Sequence, residues 1–314
     1  MRLIFMGYHN VGYFSLKALI EVCRGFGDEI AAVVTHPDNP QENIWFASVR
    51  DLAFQHYLPV YQPDNPNDPA FVAAMARLKP DFLFSVYYRH LLKPPLLSLP
   101  RRGALNLHGS LLPKYRGRVP VNWVLVQGES ETGVTLHYME EKADRGDIVA
   151  QRRVPVTEED TALTLFAKMT AAAEELLRDT YPLLRAGRAP RLPQDHAQAS
   201  YFGGRRPEDG RIDWRKPARE IYNLVRAVTH PYPGAFTSLN GRKLFIWWGR
   251  PLASPPSLGS PSPGEVVAGL PGEGLLVAAG EGRFLVERAQ FEGEPEFLGP
   301  VLATWTDMVG RRLG

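Results

Sequence analysis

Up to about Leu184, short apolar runs alternate with segments whose apolar residues recur at helical spacing. The runs predict strands and the periodic segments predict helices. The predicted strands are Arg2–Met6, Ile30–Thr35, Pro59–Tyr61, Phe82–Val86, Ala104–Leu107 and Val134–Tyr138. The predicted helices are Ser15–Cys23, Ile44–His56, Pro69–Lys79, Val119–Val126 and Thr161–Tyr181, with Pro182 ending or kinking the last. This alternation predicts βα units around a mostly parallel sheet.

The pattern changes in the last third of the chain. One helix, predicted at about Pro217–Val228, precedes a series of short strand-like runs. Between two of these runs stands Asn240-Gly241, which predicts a two-residue hairpin because both central residues of a type I′ turn need positive φ. We therefore expect two domains, residues 1–200 and 201–314, of which the second is a small β-rich barrel.

Composition narrows the class of protein. The 314 residues are 44% hydrophobic and carry a net charge of +2, which is too small to indicate nucleic acid or an anionic membrane as the partner. The single cysteine, Cys23, excludes an intrachain disulfide and a cysteine-rich zinc site. The apolar start Leu3–Met6 is too short for a signal-peptide core. We expect a cytoplasmic protein that binds neither membrane nor nucleic acid.

Candidate chemistry lies at the end of the predicted strand Ala104–Leu107. Asn106 and His108 stand two positions apart, so they share one face of an extended strand end. An amide can donate to a developing oxyanion, an imidazole can move a proton near neutral pH, and a carboxylate can hold that imidazole. An isolated N-x-H more often satisfies backbone groups in a turn. Here Ser110-Leu-Leu-Pro follows, and a later turn offers Asp144 or Asp147, which favours acyl transfer without a covalent enzyme intermediate.

Two other features carry less chemistry. The loop Gly7–Gly12 has two glycines five apart and lacks the G-x-G-x-x-G pattern of a dinucleotide site. Since no metal-ligand spacing is present either, we expect neither NAD nor a metal. His137 and Tyr138 are predicted to be packing residues.

The chain resembles the 10-formyltetrahydrofolate-dependent formyltransferases. The segments that carry the resemblance are Thr35-His-Pro-Asp-Asn-Pro, Tyr87-Tyr-Arg-His-Leu, Asn106–Arg118, Asn122-Trp-Val-Leu-Val, Thr132-Gly-Val-Thr-Leu-His, Val225-Arg-Ala-Val and Pro233-Gly-Ala-Phe. They cover nearly the whole chain. The resemblance implies an α/β fold with a Rossmann-like, mostly parallel sheet, followed by a small OB-like β-barrel domain.

The same resemblance implies roles for particular residues. Asn106 would stabilise the oxyanion, His108 would shuttle the proton, and Asp144 rather than Asp147 would orient His108. The stretches that border the folate donor supply the cofactor-binding candidates, namely His90, Leu91, Leu92, Arg118, Glu140, Glu141, Lys142, Ala143 and Asp144. For Leu91 the alternative is core packing at a strand end.

Within the family, the resemblance is strongest to the formyltransferase unit that acts on UDP-4-amino-4-deoxy-L-arabinose in lipid A modification. It implies 10-formyltetrahydrofolate as donor and a nucleotide-linked amino sugar as acceptor. A methionyl-tRNA formyltransferase and a catalytically silent folate-binding module are the alternatives. The tRNA enzyme usually has a basic, glycine-containing insertion after the second strand, whereas Pro37–Ile44 is short and not basic. The sugar, its amine position, UDP against dTDP, and assembly into a homo-oligomer stay open.

Overall fold

The computed structural model describes residues 1–252 and 261–314, which form two compact units. The first unit comprises residues 1–120, 131–155 and 166–203, and the second comprises residues 121–130, 156–165 and 204–314 among those described. Two short segments, residues 121–130 and 156–165, therefore belong to the second unit although the chain around them belongs to the first. Sequence composition does not signal such an exchange, because it depends on contacts between distant segments.

A seven-stranded sheet organises the first unit. The strands of this unit are β1 (Arg2–Gly7), β2 (Glu29–Val34), β3 (Val60–Tyr61), β4 (Phe82–Val86), β5 (Gly103–His108), β6 (Arg116–Gly117), β7 (Glu131–Tyr138), β8 (Ile148–Pro155) and β9 (Tyr201–Phe202). The sheet order is β3-β2-β1-β4-β5-β7-β8, while β6 and β9 pair separately. All pairings from β3 to β5 are parallel, and β7 and β8 are antiparallel. The prediction of a mostly parallel sheet is confirmed.

Strand β8 was not predicted from the sequence. Its polar run Gln151-Arg152-Arg153 hides the alternation of apolar residues, since β8 is an edge strand of this sheet and exposes part of its length. Charged residues are common on edge strands because they oppose pairing with a further strand.

Eight α-helices are present in the described residues: α1 (His9–Phe26), α2 (Val49–Gln55), α3 (Pro69–Arg77), α4 (Pro94–Leu97), α5 (Pro120–Val126), α6 (Ala162–Arg185), α7 (Ala218–Val228) and α8 (Gly299–Leu302). The prediction for α6 was wrong at its end, because the helix continues through Pro182 to Arg185. Proline removes one donor, but its carbonyl still accepts from the Ala186 N–H. None of the described helices combines the length and the apolar character needed to cross a membrane.

The strand order identifies the carboxyl ends of the central strands as the candidate ligand-binding edge of this sheet. Helix α1 packs on β1, β2 and β4. The strand order reverses between β1 and β4, and in open α/β sheets ligands bind beyond the carboxyl ends of the strands at such a point. The segments that leave β1, β4 and β5 at this edge begin at Tyr8, Tyr87 and Gly109.

The second unit contains an antiparallel sheet of β10 (Ala235–Leu239), β11 (Arg242–Leu252), β12 (Val266–Leu270), β13 (Gly274–Ala278), β14 (Arg283–Phe291) and β15 (Phe297–Leu298). The predicted hairpin joins β10 to β11, with φ of 51° at Asn240 and 76° at Gly241. The predicted barrel was wrong: within the described ranges the order β10-β11-β14-β13-β12 leaves β10 and β12 unpaired with each other. Alternating residues predict strands but not whether the end strands meet.

Candidate active site

Asn106 and His108 lie on β5, near the middle of the seven-stranded sheet. Strand β5 pairs with β4 on one side and with β7 on the other. The register with β7 sets Asn106 opposite His137 and His108 opposite Thr135. Because strand side chains alternate, these four side chains lie on one face of the sheet.

His108 is held at both ring nitrogens. Its side chain is buried, with 6% of the residue exposed. Nε2 lies 2.8 Å from the Tyr115 carbonyl oxygen, and Nδ1 lies 3.5 Å from Asp144 Oδ1. A carbonyl only accepts, so Nε2 carries a hydrogen. The carboxylate is also an acceptor, so each ring nitrogen of His108 has an acceptor oxygen near it.

Asp144 provides the carboxylate of the site. Its Oδ1 lies 3.6 Å from His137 Nε2 as well as near His108, and its Oδ2 accepts from the Gly117 N–H at 2.9 Å. Burial raises the pKa of this carboxyl, but the neighbouring His108 and His137 rings and the hydrogen bond from the Gly117 N–H outweigh burial and hold the pKa well below its usual range. Asp144 is therefore ionised at neutral pH.

Geometry separates Asp144 from the other acid of its turn. Asp147 Oδ2 accepts from Arg191 Nε at 2.8 Å, and the Asp147 carbonyl accepts from the Tyr138 N–H. Asp144, which faces His108, has a backbone φ of 59°, a conformation that residues other than glycine seldom adopt. The surroundings of Asp144 thus hold a strained backbone next to the imidazole.

His137 belongs to this cluster, although the sequence predicted it as a packing residue. It is 1% exposed, and its Nδ1 donates to the Tyr138 carbonyl at 2.7 Å. In the neutral ring Nε2 then accepts from Asn106 Nδ2 at 3.1 Å. This contact fixes the direction of the Asn106 amide and leaves its second N–H for another acceptor. The signal in the sequence was the T-x-H spacing of Thr135 and His137, which mirrors N-x-H on the neighbouring strand.

Thr135 anchors the segment that follows His108. Its Oγ1 donates to the Ser110 carbonyl at 2.6 Å and accepts from the Leu112 N–H at 3.1 Å. The Gln151 amide donates to the same Oγ1 and to the Leu112 carbonyl. The Ser-Leu-Leu-Pro segment is therefore tied to β7 and β8 directly beside the imidazole.

The stretch after β4 was predicted to border the folate donor. Leu91 is 76% exposed, and its carbonyl accepts from Asn67 Nδ2 at 2.9 Å. The alternative of core packing for Leu91 is wrong. Leu92, by contrast, belongs to the buried hydrophobic cluster of this unit, so any contact of Leu92 with a donor would use its backbone. His90 stacks on His36 with ring centroids 5.0 Å apart.

The second predicted stretch lies close to the first. Glu140, Glu141, Lys142 and Ala143 are exposed, as is Arg118, whose N–H donates to the Phe202 carbonyl. Met139, at the start of this loop, packs against the same hydrophobic cluster as Leu92 and Tyr88. The two stretches therefore border one region of the first unit, as a ligand that contacts both would require.

His36 and Glu42 hold the loop after β4, and the sequence did not signal them. The Arg89 N–H donates to His36 Nε2 at 3.1 Å, and its guanidinium makes two 2.7 Å bonds to Glu42. Burial, and then the charges of His90 and Arg89, lower the pKa of His36 to about 4, so Nε2 stays an acceptor at neutral pH. In the part of the chain that the structure describes, no group of three His, Cys, Asp or Glu side chains is arranged to hold a metal.

Two family models match the chain. A formyl transferase model matches residues 1–180, and a model of the formyl transferase C-terminal domain matches residues 205–300. The matched ranges include the cluster around His108 and the sheet of the second unit. Together they cover well over half of the chain.

Solved structures show the same fold at low sequence identity. WlaRD, a sugar 3N-formyl transferase crystallised with dTDP and 5-N-formyl-THF, is 18% identical with a TM-score of 0.67 over 94% of this chain and 99% of its own. An N-formyltransferase from Helicobacter canadensis, in complex with folinic acid and dTDP-3-aminofucose, is 21% identical with a TM-score of 0.67 over 92% and 98%. HypX from Aquifex aeolicus is 19% identical with a TM-score of 0.62 over 95% of this chain, which spans about half of HypX (46%).

Proposed function

The chain belongs to the formyl transferase family, and from this premise we propose that it moves the formyl group of 10-formyltetrahydrofolate to the amine of a nucleotide-linked amino sugar. One observation carries the proposal: Asn106, His108 and Asp144 meet at the end of β5, with His108 between the carboxylate of Asp144 and the Tyr115 carbonyl. These are an oxyanion donor, a proton carrier and its charged partner, which is the set that direct acyl transfer needs.

The first step is attack on the formyl carbon. The neutral sugar amine forms a new C–N bond, and the formyl oxygen takes up negative charge in the tetrahedral intermediate. The second N–H of Asn106 stabilises that charge, while the contact with His137 keeps the amide in place. Loss of one oxyanion donor typically costs about 10²–10³ in rate.

The second step moves a proton and expels the folate. The nitrogen that attacked carries an extra proton, and the leaving folate nitrogen needs one. His108 passes the proton between them, and the ionised Asp144 stabilises the ring while it is positively charged. The bond from the formyl carbon to the folate nitrogen then breaks, which gives tetrahydrofolate and the N-formylated sugar.

The donor proposal is tested by binding of 5-formyltetrahydrofolate, a stable analogue. We expect saturable binding by calorimetry without any added metal or NAD, since the two stretches after β4 and β7 border one region. Leu91→Asp, on the exposed side of that region, should weaken binding, whereas Leu298→Asp, at another exposed leucine in the second unit, should not. Absence of binding by the wild-type protein, or activity that EDTA abolishes and a divalent ion restores, would contradict the donor assignment.

For the acceptor we propose UDP-4-amino-4-deoxy-L-arabinose, which the sequence segments favour. Two structural neighbours support a second candidate, a dTDP-linked 3-amino sugar: WlaRD is a sugar 3N-formyl transferase crystallised with dTDP, and the Helicobacter canadensis enzyme was crystallised with dTDP-3-aminofucose. A tRNA acceptor is less favoured. In the segment after β2, Asp38 accepts from Tyr8 and Glu42 pairs with Arg89, so this segment is acidic where tRNA phosphates would need cations.

A screen decides among these acceptors. UDP- and dTDP-linked 4-amino and 3-amino sugars, with methionyl-tRNA as a further arm, are incubated with 10-formyltetrahydrofolate and followed by the mass gain of one formyl group. We expect formylation of the UDP-linked 4-amino sugar and none of the tRNA. Preference for a dTDP-linked 3-amino sugar would replace the substrate but keep the mechanism, and formylation of tRNA alone would overturn the sugar proposal.

A further inference from the structure

The backbone from Tyr115 to Gly117 runs between His108 and Asp144. Tyr115 accepts from His108 Nε2 through its carbonyl, and two residues later the Gly117 N–H donates to Asp144 Oδ2. The position of the backbone from Tyr115 to Gly117 thus sets how imidazole and carboxylate face each other. Whatever holds this backbone in place controls the geometry of the pair.

Arg116, between those two residues, points away from them into a buried set of partners. It is 1% exposed. Its guanidinium donates to Gln194 Oε1 from two nitrogens, to the Tyr201 hydroxyl at 2.6 Å and to His196 Nδ1 at 2.9 Å. These acceptors are uncharged, and all come from the segment 194–201. Burying a charge among neutral hydrogen-bond partners costs stability. Stability therefore does not explain these contacts, whereas the positioning of the neighbouring backbone does.

Gln194 extends the chain of contacts to the acid. Its amide donates to the Asp144 carbonyl at 3.1 Å and to the Gly146 carbonyl at 2.7 Å, while its oxygen accepts from Arg116. The Gln194 side chain therefore joins β6 to the turn that carries Asp144. The hydrogen bond to the Asp144 carbonyl restrains the residue whose backbone φ is positive.

Backbone pairing completes the attachment. The Arg116 N–H donates to the Ser200 carbonyl and the Arg118 N–H to the Phe202 carbonyl, which makes β6 and β9 a parallel pair. Gly117 has a φ of 102°, and a Cβ there would collide with the Phe202 carbonyl oxygen. The close approach of the two strands thus requires glycine at this position.

We propose that Arg116 and Gln194 are positioning residues that lock His108 and Asp144 into register through the segment 194–202. The inference rests on the proposed function, since its effect on turnover is measured in the formyl transfer reaction. Neither side chain touches a reacting group. Each acts on the site through the backbone of residues 115–117 or through the Asp144 turn.

The test uses two glutamines of the same segment. We call the contacts by which Arg116 and Gln194 join residues 115–117 to the Asp144 turn the brace. Gln194→Ala removes both arms of the brace, namely the acceptor for Arg116 and the donor to the Asp144 and Gly146 carbonyls. Gln198→Ala instead removes an amide that donates to Asp195. We expect kcat to fall roughly 10- to 100-fold in Gln194→Ala with little change in KM, the scale of losing an outer partner of a catalytic group. Gln198→Ala should keep the wild-type kcat. Wild-type kcat in Gln194→Ala, or an equal loss in both variants, overturns the proposal.

Two further variants separate the arms. Gln194→Glu keeps an oxygen for Arg116 but loses the donor to the Asp144 and Gly146 carbonyls, so its kcat should fall as in Gln194→Ala. Arg116→Lys should also lose kcat, because one ammonium cannot reach three acceptors in a fork. Since both residues act in one chain of contacts, the fold-losses of Arg116→Lys and Gln194→Ala should not multiply in the double variant. Multiplicative losses would contradict a single brace.

Amide hydrogen exchange keeps this inference separate from the proposed function. Exchange in peptides covering residues 115–118 and 144–147 should be faster in Gln194→Ala than in wild type, and unchanged in Gln198→Ala. If the wild-type protein transfers no formyl group but exchange responds in this way, the proposed function fails and the brace stands. If the wild type is active and exchange in Gln194→Ala is unchanged, the brace fails alone.

Discussion

Replacing His108 with alanine is expected to lower kcat by at least about 10²-fold, the scale of a lost acid–base group. In the proposed mechanism this ring carries the proton from the sugar amine to the folate nitrogen. The loss of stability should be about 1–3 kcal/mol, because the buried Tyr115 carbonyl loses its imidazole donor, while the nearby Ser110 hydroxyl already donates to the Lys114 carbonyl at 2.6 Å. Steady-state rates and melting temperature measure the two effects.

His56 offers a matched control at the end of α2, away from the site. His56→Ala should leave kcat unchanged. Asn106→Ala should also lose about 10²-fold or more in kcat, because the oxyanion loses its donor. A His108→Ala protein that melts as a folded domain and turns over at the wild-type rate would refute the role given to the imidazole.

Asp144→Asn is expected to cost roughly 10²-fold or more in kcat, while Asp147→Asn in the same turn should cost little. The first variant keeps the shape but loses the negative charge 3.5 Å from His108 Nδ1. The second loses an ion pair with Arg191 on the surface, and such pairs contribute about 0–1 kcal/mol. Equal activity of the two variants would mean that the charge of Asp144 is not used in catalysis.

The same two variants should differ in how the free energy of unfolding depends on pH below neutrality. The pKa of Asp144 in the folded protein lies below the value of about 3.9 expected for an unfolded chain. Its stabilising contribution is therefore complete above about pH 4 to 5 and is lost as the pH falls through the folded value. Urea unfolding should show a steeper loss of stability below about pH 4 for wild type and Asp147→Asn than for Asp144→Asn. Parallel curves would contradict the lowered pKa.

Much of the site follows from local sequence, and the remainder depends on contacts between distant segments. Asn106 and His108 could be paired from their spacing, since side chains two apart on a strand share a face. Nothing local separates Asp144 from Asp147. The first is chosen by the Gly117 N–H and the two histidines that surround it.

His137 and Gln194 show the same limit in another form. Each lies in a segment whose own pattern suggested nothing beyond packing or a loop. His137 joins the site because β7 pairs antiparallel to β5 in one particular register. Gln194 joins it because the segment after α6 returns to β6 and pairs with it there.

The sequence by itself determined the parallel sheet, most of its strands, the hairpin at Asn240 and Gly241, and the two polar groups at the end of β5. These features depend on the period of apolar residues and on backbone preferences, which act over a few positions. Tertiary structure alone decided how Asp144 lies beside His108 and His137, the contacts of His137 and Gln194, and the open sheet of the described second unit. Each depends on which distant strands meet and in what register, and this is fixed by the packing of the whole unit.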